Sequence, residues 1–172
     1  DATPYVLVKV RAFGLNRMDL MQREGQYPIP PGASPIMGVE FSGEVAALAQ
    51  HGAPDLNLGD AVFGLAHGGA YAEYIRVPAS MVWKKDAVMS WEQAAAVPEA
   101  YITALQALHT LSNLKKGEDV LIHAGASGVG LAAIQLAKYL GARNVYVTAG
   151  TTEKIARCKQ LGATDGFNYK TQ

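Results

Sequence analysis

Apolar and polar residues alternate along Tyr5–Ala12, Glu40–Ala46 and Ala70–Val77, the period-two pattern of half-buried strands. Turn chemistry separates these runs, with proline and glycine concentrated in Tyr27–Gly32, Gly52–Asp55 and His67–Gly69. Leu58–Gly64 reads as a glycine-led turn that enters another short strand. Short strands at this spacing predict a small, partly open β-barrel. After Val88 the pattern changes. Ser90 and Gln93 have capping-box spacing ahead of an alanine-rich run, so a helix is predicted from Trp91. Pro98 is expected to end it, with a second helix over Ala100–Leu111 and a polar turn over Lys115–Asp119. The order from there is a strand from Val120, a helix over Leu131–Leu140, a strand over Asn144–Ala149, a helix over Thr152–Leu161 and a short strand around Gly166–Tyr169. Alternating strand and helix predicts a parallel sheet. The fold class is therefore α/β, with one β-rich domain over residues 1–97 and the first part of a nucleotide-binding domain over 98–172.

The candidate chemistry lies in Val120–Gly130. An apolar strand ends in a turn with Gly-x-x-Gly-x-Gly spacing at Gly125, Gly128 and Gly130, and the turn opens into an amphipathic helix. That arrangement puts a diphosphate on backbone N–H groups at a helix N-terminus. Gly125 is expected to take the tight turn, Gly128 to admit the ligand, and Gly130 to let helix and strand pack closely. A plain glycine-rich turn is the bland alternative. An NAD-specific unit usually places an acid at the tip of the second strand, about 20 residues past the glycine turn. Here the tip reads Thr148–Gly150, small and neutral, followed by Thr151, Thr152, Glu153 and Lys154. A lysine there can pair with a 2′-phosphate, which favours NADP. Lys154 has a bland alternative as a solvated helix lysine. Glu153 argues the other way only if it points inward, and as a first-turn acid it otherwise serves the helix dipole.

Composition narrows the classes. Hydrophobic residues make up 49% of the 172-residue chain and charged residues 17%, enough for a packed core. Fifteen basic side chains balance fifteen acidic ones with no basic cluster, so neither nucleic acid nor an anionic membrane is an expected partner. Apolar runs break well short of a membrane span. No signal peptide is recognised, although the chain begins without Met. The single cysteine, Cys158, excludes internal disulfides and fits a reducing, cytoplasmic setting; it is expected as a buried, inert thiol. Three strands are legible where a doubly wound dinucleotide domain has about six. The domain therefore reads as truncated, the front part of a larger protein.

The two-part layout is similar to that of zinc-dependent alcohol dehydrogenases, which raises the question of a metal. A catalytic zinc needs three protein ligands and an open position. Where such an enzyme would carry His this chain has Val39, and Gly14–Asp19 offers no thiolate. His51, His67, His109 and His123 show no ligand spacing. His51 and His67 fall in predicted loops and His123 on a predicted buried strand. No metal is expected.

Leu15–Pro28, Gly38–Gly43, Ala94–Ala100 and His123–Gly130 together resemble the zinc-free quinone oxidoreductases, relatives of zeta-crystallin in the medium-chain dehydrogenase/reductase superfamily. The resemblance implies a GroES-like substrate domain, a Rossmann-type domain, a homodimer and NADPH-dependent reduction of a small quinone or enone. Carried over by residue, it implies cofactor contacts at Tyr27, Ser127, Gly128, Val129, Gly130, Gly150, Lys154 and Tyr169, with Thr103 near the carboxamide. It implies catalytic roles on the nicotinamide side for Asn16, Asp19 and Tyr27. Asn16 and Asp19 have an equal reading as turn and cap residues at a helix beginning near Leu20, and Tyr169 as an ordinary strand aromatic. In this reading hydride passes to a quinone while the protein supplies proximity and a water-poor cleft. No obligatory acid stands out; solvent can protonate the hydroquinone anion, with Tyr27 or Ser127 assisting. The alternatives are an enoyl or 2-alkenal reductase on the same scaffold, and a non-catalytic protein that binds NADPH or RNA.

Overall fold

A computed structural model describes residues 4–49 and 55–171, in two units, Asp1–Glu99 and Ala100–Gln172. His51 and most of the Gly52–Asp55 turn lie outside the described residues.

The first unit is built on five antiparallel strands. These are β1 (Tyr5–Phe13), β2 (Glu40–Leu48), β3 (Ala61–Leu65), β4 (Tyr74–Pro78) and β5 (Val82–Lys84), in the sheet order β4-β1-β2-β3-β5. The sheet is open among the described residues, since β4 and β5 are its two edges. The alternation in β1 works as the sequence implies: Val6 and Val8 are buried while Lys9 faces out. Val8 pairs with Val45 on one side and Ile75 on the other. These join Phe41, Val62 and Val77 in one apolar cluster.

Three local readings change. Only Tyr74–Pro78 of the Ala70–Val77 run is strand. Gly68 and Gly69 take positive φ and swing the preceding chain onto the Ile36–Gly38 loop, where Gly69, Ala70 and Tyr71 donate to the carbonyls of Ile36, Gly38 and Met37. The helix α1 spans Arg17–Arg23, so Asn16 is its N-cap residue and Asp19 sits a turn inside. Pro98 opens a helix as well as following one. The helix α2 (Trp91–Ala95) has its expected box, Gln93 N–H on Ser90 Oγ at 3.1 Å and Ser90 N–H on Gln93 Oε1 at 2.8 Å. The helix α3 (Pro98–Leu105) then begins at the proline, which costs nothing at a first helical position because that N–H has no helical acceptor anyway. It continues into a π-helical turn over Gln106–Leu111.

The second unit holds three parallel strands, β6 (Asp119–Ile122), β7 (Asn144–Ala149) and β8 (Asp165–Asn168), in the order β6-β7-β8. The connecting helices are α4 (Gly128–Tyr139) and α5 (Thr152–Gln160). Ile134, Val145, Val147, Ala137 and Cys158 form a fully buried centre. The thiol of Cys158 is inside, as its apolar helix face requires. The strand β6 is half-exposed, and His123 just beyond it is exposed instead of buried. Its Nδ1 lies 3.1 Å from Thr148 Oγ1.

Because Ile134 is completely buried in this centre, Ile134→Ala is expected to cost ~2–5 kcal/mol in denaturant unfolding. Tyr139→Ala, at an 87% exposed site on the same helix, should stay within about 0.5 kcal/mol of the parent.

Candidate functional site

In the second unit the site starts with the loop between β6 and α4. Thr148 on the neighbouring strand holds it: its carbonyl accepts the Gly125 N–H at 2.9 Å and its Oγ1 accepts the Ala124 N–H at 3.3 Å. The left-handed residue of the turn is Ala124, at φ 52°, and not Gly125. Gly125 is glycine for a different reason. A Cβ there would come within 2.6 Å of Val147 Cβ, so the loop can lie on the strand only without a side chain. A Cβ on Gly130 would meet the Ala124 and Gly125 carbonyl oxygens at 2.5 and 2.6 Å, which explains how closely α4 follows the turn. A Cβ on Gly128 would meet nothing within 4 Å.

The donors at the start of α4 divide into used and unused. Ser127 Oγ caps the helix by accepting the Gly130 N–H at 3.0 Å. The N–H groups of Gly128 and Val129 have no acceptor among the described residues. Beside them is a cavity of about 190 Å³ lined by Ala124, Ser127, Ala149, Gly150, Lys154 and Tyr169. Tyr169 covers Gly150 so closely that a Cβ there would stand 2.8 Å from its hydroxyl. Thr151 caps α5 by accepting the Lys154 N–H at 3.3 Å. Lys154 makes no ion pair among the described residues. Glu153 is held below the usual carboxylate range by its own N–H and by Thr151, the first-turn role open to it in the sequence. Ser127, Gly150, Lys154 and Tyr169 thus share one cavity; Gly128, Val129 and Gly130 form the adjoining helix turn. Thr103 is exposed on α3 and does not line this cavity.

In the first unit, α1 and β2 bury a network of acids. Asp19 is 4% exposed and Glu40 3%. Asp19 Oδ2 accepts the Asn16 N–H at 2.7 Å and the Tyr71 hydroxyl at 2.8 Å, while Oδ1 is buried with no partner. The Asn16 side-chain amide donates to Glu40 Oε1 at 2.8 Å, and the Glu99 N–H donates to Glu40 Oε2 at 2.9 Å. Gly14 makes room for this, since a Cβ there would overlap Glu40 Oε1. Burial raises the Glu40 carboxyl above its ordinary value, against the lowering effect of its two hydrogen bonds. Burial, with Glu40 and Asp19 as like charges nearby, raises Glu99 as well. Burial and the Asp19 carboxylate push the Tyr71 phenol upward, so it stays protonated as the donor. Asn16 and Asp19 are therefore both committed to protein partners. Tyr27 is half-open and lines a cavity of about 220 Å³ with Gln22, Val39, His67 and Glu99.

The alcohol dehydrogenase GroES-like domain family matches residues 3–87, and the zinc-binding dehydrogenase family matches 128–172. The NADPH-complexed quinone oxidoreductase of Escherichia coli is 34% identical, with a TM-score of 0.86 over 98% of this chain and 51% of that one. The chain belongs to the medium-chain dehydrogenase/reductase superfamily. The CurK enoyl reductase superimposes with a TM-score of 0.88 at 31% identity, over 97% of this chain and 52% of that one. The rat synaptic vesicle membrane protein VAT-1 homolog is 37% identical over 166 residues, 96% of this chain and 41% of its own length. The chain thus spans about half the length of these solved relatives and about two fifths of the VAT-1 homolog.

Superfamily membership fixes the architecture, an antiparallel GroES-like unit ahead of a Rossmann-like parallel sheet. Among the described residues no three His, Cys, Asp or Glu side chains group so as to hold a metal ion, and no helix is long and apolar enough to cross a membrane. Sequence reading missed Glu40, Tyr71 and Glu99 as members of a common network. The available signal was an acid inside an apolar strand, Val39-Glu40-Phe41, which burial makes informative.

The raised carboxyls set a pH dependence. A folded-state value above the unfolded one means that the native protein holds the proton more tightly. That stability is fully present below the ordinary carboxyl pKa and is lost as pH rises through the raised values of Glu40 and Glu99. Denaturant unfolding at a series of pH values should show this decline in the parent. Glu40→Gln should flatten it, with an offset of about 1–3 kcal/mol from the hydrogen-bond acceptor the variant lacks.

Proposed function

We propose that this chain contributes the substrate unit and the phosphate-binding part of an NADPH-dependent oxidoreductase that reduces quinones without a metal. The observation that carries the reading is the pair of N–H groups, Gly128 and Val129, with no acceptor among the described residues, beside a cavity whose Lys154 makes no ion pair among them. Exposed helix N-terminal amides favour a diphosphate. Lys154 suits the 2′-phosphate that separates NADPH from NADH, and the Tyr169 ring suits the adenosine side. Support for NADPH and quinone comes from the Escherichia coli relative, whose complex contains NADPH. Bound NADPH supplies the hydride.

The protein's own residues do the rest. Gly128 and Val129 bind the diphosphate, with Ser127 and Gly130 fixing their direction. Gly150 leaves space that Tyr169 closes. Asn16 and Asp19 act as positioning residues through Glu40 and Tyr71, while Tyr27 contacts the acceptor in the 220 Å³ cavity. Thr103 is assigned to the carboxamide on the resemblance alone. The acceptor is a small neutral quinone, the whole protein a homodimer, and its compartment the cytoplasm. An enoyl or 2-alkenal reductase is the second reading, supported by the likeness to the CurK enoyl reductase. Initial rates with an ortho-quinone and with a 2-alkenal separate the two.

Lys154→Ala tests the cofactor reading. Loss of a charge-assisted contact of about 1.5–3 kcal/mol corresponds to roughly 10- to 150-fold weaker NADPH binding. The NADH dissociation constant should not move. Fluorescence titration of the whole protein with both nucleotides measures this, and an unchanged NADPH/NADH preference would remove Lys154 from the assignment.

A further inference from the structure

The sequence offered no acid for the reduced acceptor, but the cavity of the first unit contains one. We propose that Glu99 is the proton donor to the reduced acceptor. The proposal rests on the oxidoreductase reading above.

Glu99 is the one carboxylic acid among the described residues lining the 220 Å³ cavity. Met18, Ile29, Val39 and Leu65 make much of the remaining wall apolar. No Lys or Arg among the described residues lines it, so no cation there draws the Glu99 proton away by ion pairing. The backbone at Glu99 is fixed by its N–H bond to Glu40 Oε2. That bond uses the main chain of Glu99 and one oxygen of Glu40, and among the described residues no hydrogen bond ties down the Glu99 carboxyl itself. The titratable groups around it are Glu40 on β2, Asp19 on α1 with its Tyr71 partner, and Tyr27 and His67 in the cavity wall. Two of these are buried carboxyls, and Asp19 keeps one oxygen with no donor. Three acids share this region without a cation in their hydrogen bonds, which favours the protonated form of the least committed one. Glu99 answers that description, and its carboxyl is displaced upward in the direction a general acid requires.

The step balances. The acceptor gains hydride with its electron pair as the nicotinamide is oxidised, and becomes an oxyanion. The O–H bond of Glu99 breaks as an O–H bond forms on that oxygen. The resulting carboxylate regains its proton from solvent. Overall one acceptor, one NADPH and one solvent proton give the dihydro product and NADP+. The protonated form is the active one, so the rate contribution falls as pH rises through the Glu99 titration.

The test is Glu99→Gln in the whole protein, with 1,4-benzoquinone and a 2-alkenal as acceptors, across pH. Turnover should drop about 100-fold and the high-pH fall in kcat should vanish, while the NADPH dissociation constant stays unchanged. Glu99→Asp should keep the pH limb with a partial rate, and Glu92→Gln, on the exposed face of α2, should behave as the parent. Infrared spectroscopy supplies a reading independent of turnover: the carbonyl stretch of a protonated carboxylic acid seen in the parent at mildly acid pH should be diminished in Glu99→Gln. Parental kcat and pH limb in Glu99→Gln, or an unchanged carboxylic acid band, would overturn the assignment and leave the oxidoreductase reading standing. If the parent transfers hydride to neither acceptor, that reading fails and the proposal goes with it.

Discussion

Thr148 keeps the glycine loop in place, and the start of α4 with its open donors depends on it. Its carbonyl and hydroxyl accept two successive N–H groups, from Gly125 and Ala124, across the strand boundary. Those two bonds hold Ala124 in a left-handed conformation that a residue with a Cβ rarely adopts. With the turn fixed, α4 can begin directly above it, and Ser127 satisfies the third donor of the helix. What remains open, the first two donors, has no acceptor among the described residues. The loop stays open because its demands are met from behind.

The first unit solves a different problem. It buries two carboxyls that a hydrophobic core would normally reject. Asn16, Tyr71 and the Glu99 main chain donate to them in place of water. All but one of the four oxygens are satisfied, and the exception belongs to Asp19. An acidic pocket maintained by neutral donors retains protons more strongly than one held by lysine or arginine. That difference links the architecture of this unit to acid chemistry in its cavity.

The periodic elements were legible from sequence. Asn144–Ala149 matches β7 residue for residue, and the helix expected over Thr152–Leu161 spans Thr152–Gln160. Its local rules involve neighbours a few positions apart, and such neighbours are visible in a sequence. The acid network was not legible, because Tyr71 reaches Asp19 across 52 positions and Glu99 reaches Glu40 across 59. Ala124 is hidden for another reason: glycine is the habitual left-handed residue, and Gly125 stands next to it. Alternation overstates the 70–77 strand because it continues through a segment whose hydrogen bonds go to a loop. His123 is exposed although β6 has the apolar composition of a buried strand, because half of that strand remains open. Of the residues the resemblance implies for a cofactor, Ser127, Gly150, Lys154 and Tyr169 line one cavity, and Thr103 does not line it.

Cys158 lies directly beneath the loop, its sulfur 3.4 Å from where a Gly125 side chain would begin, and none of its surface is open to solvent. Burial also holds the thiol in its unreactive protonated form. A modifying reagent can reach it only through a local opening of the layer formed by the loop and α5. The rate at which this sulfur is alkylated therefore times the breathing of the floor on which a diphosphate would rest.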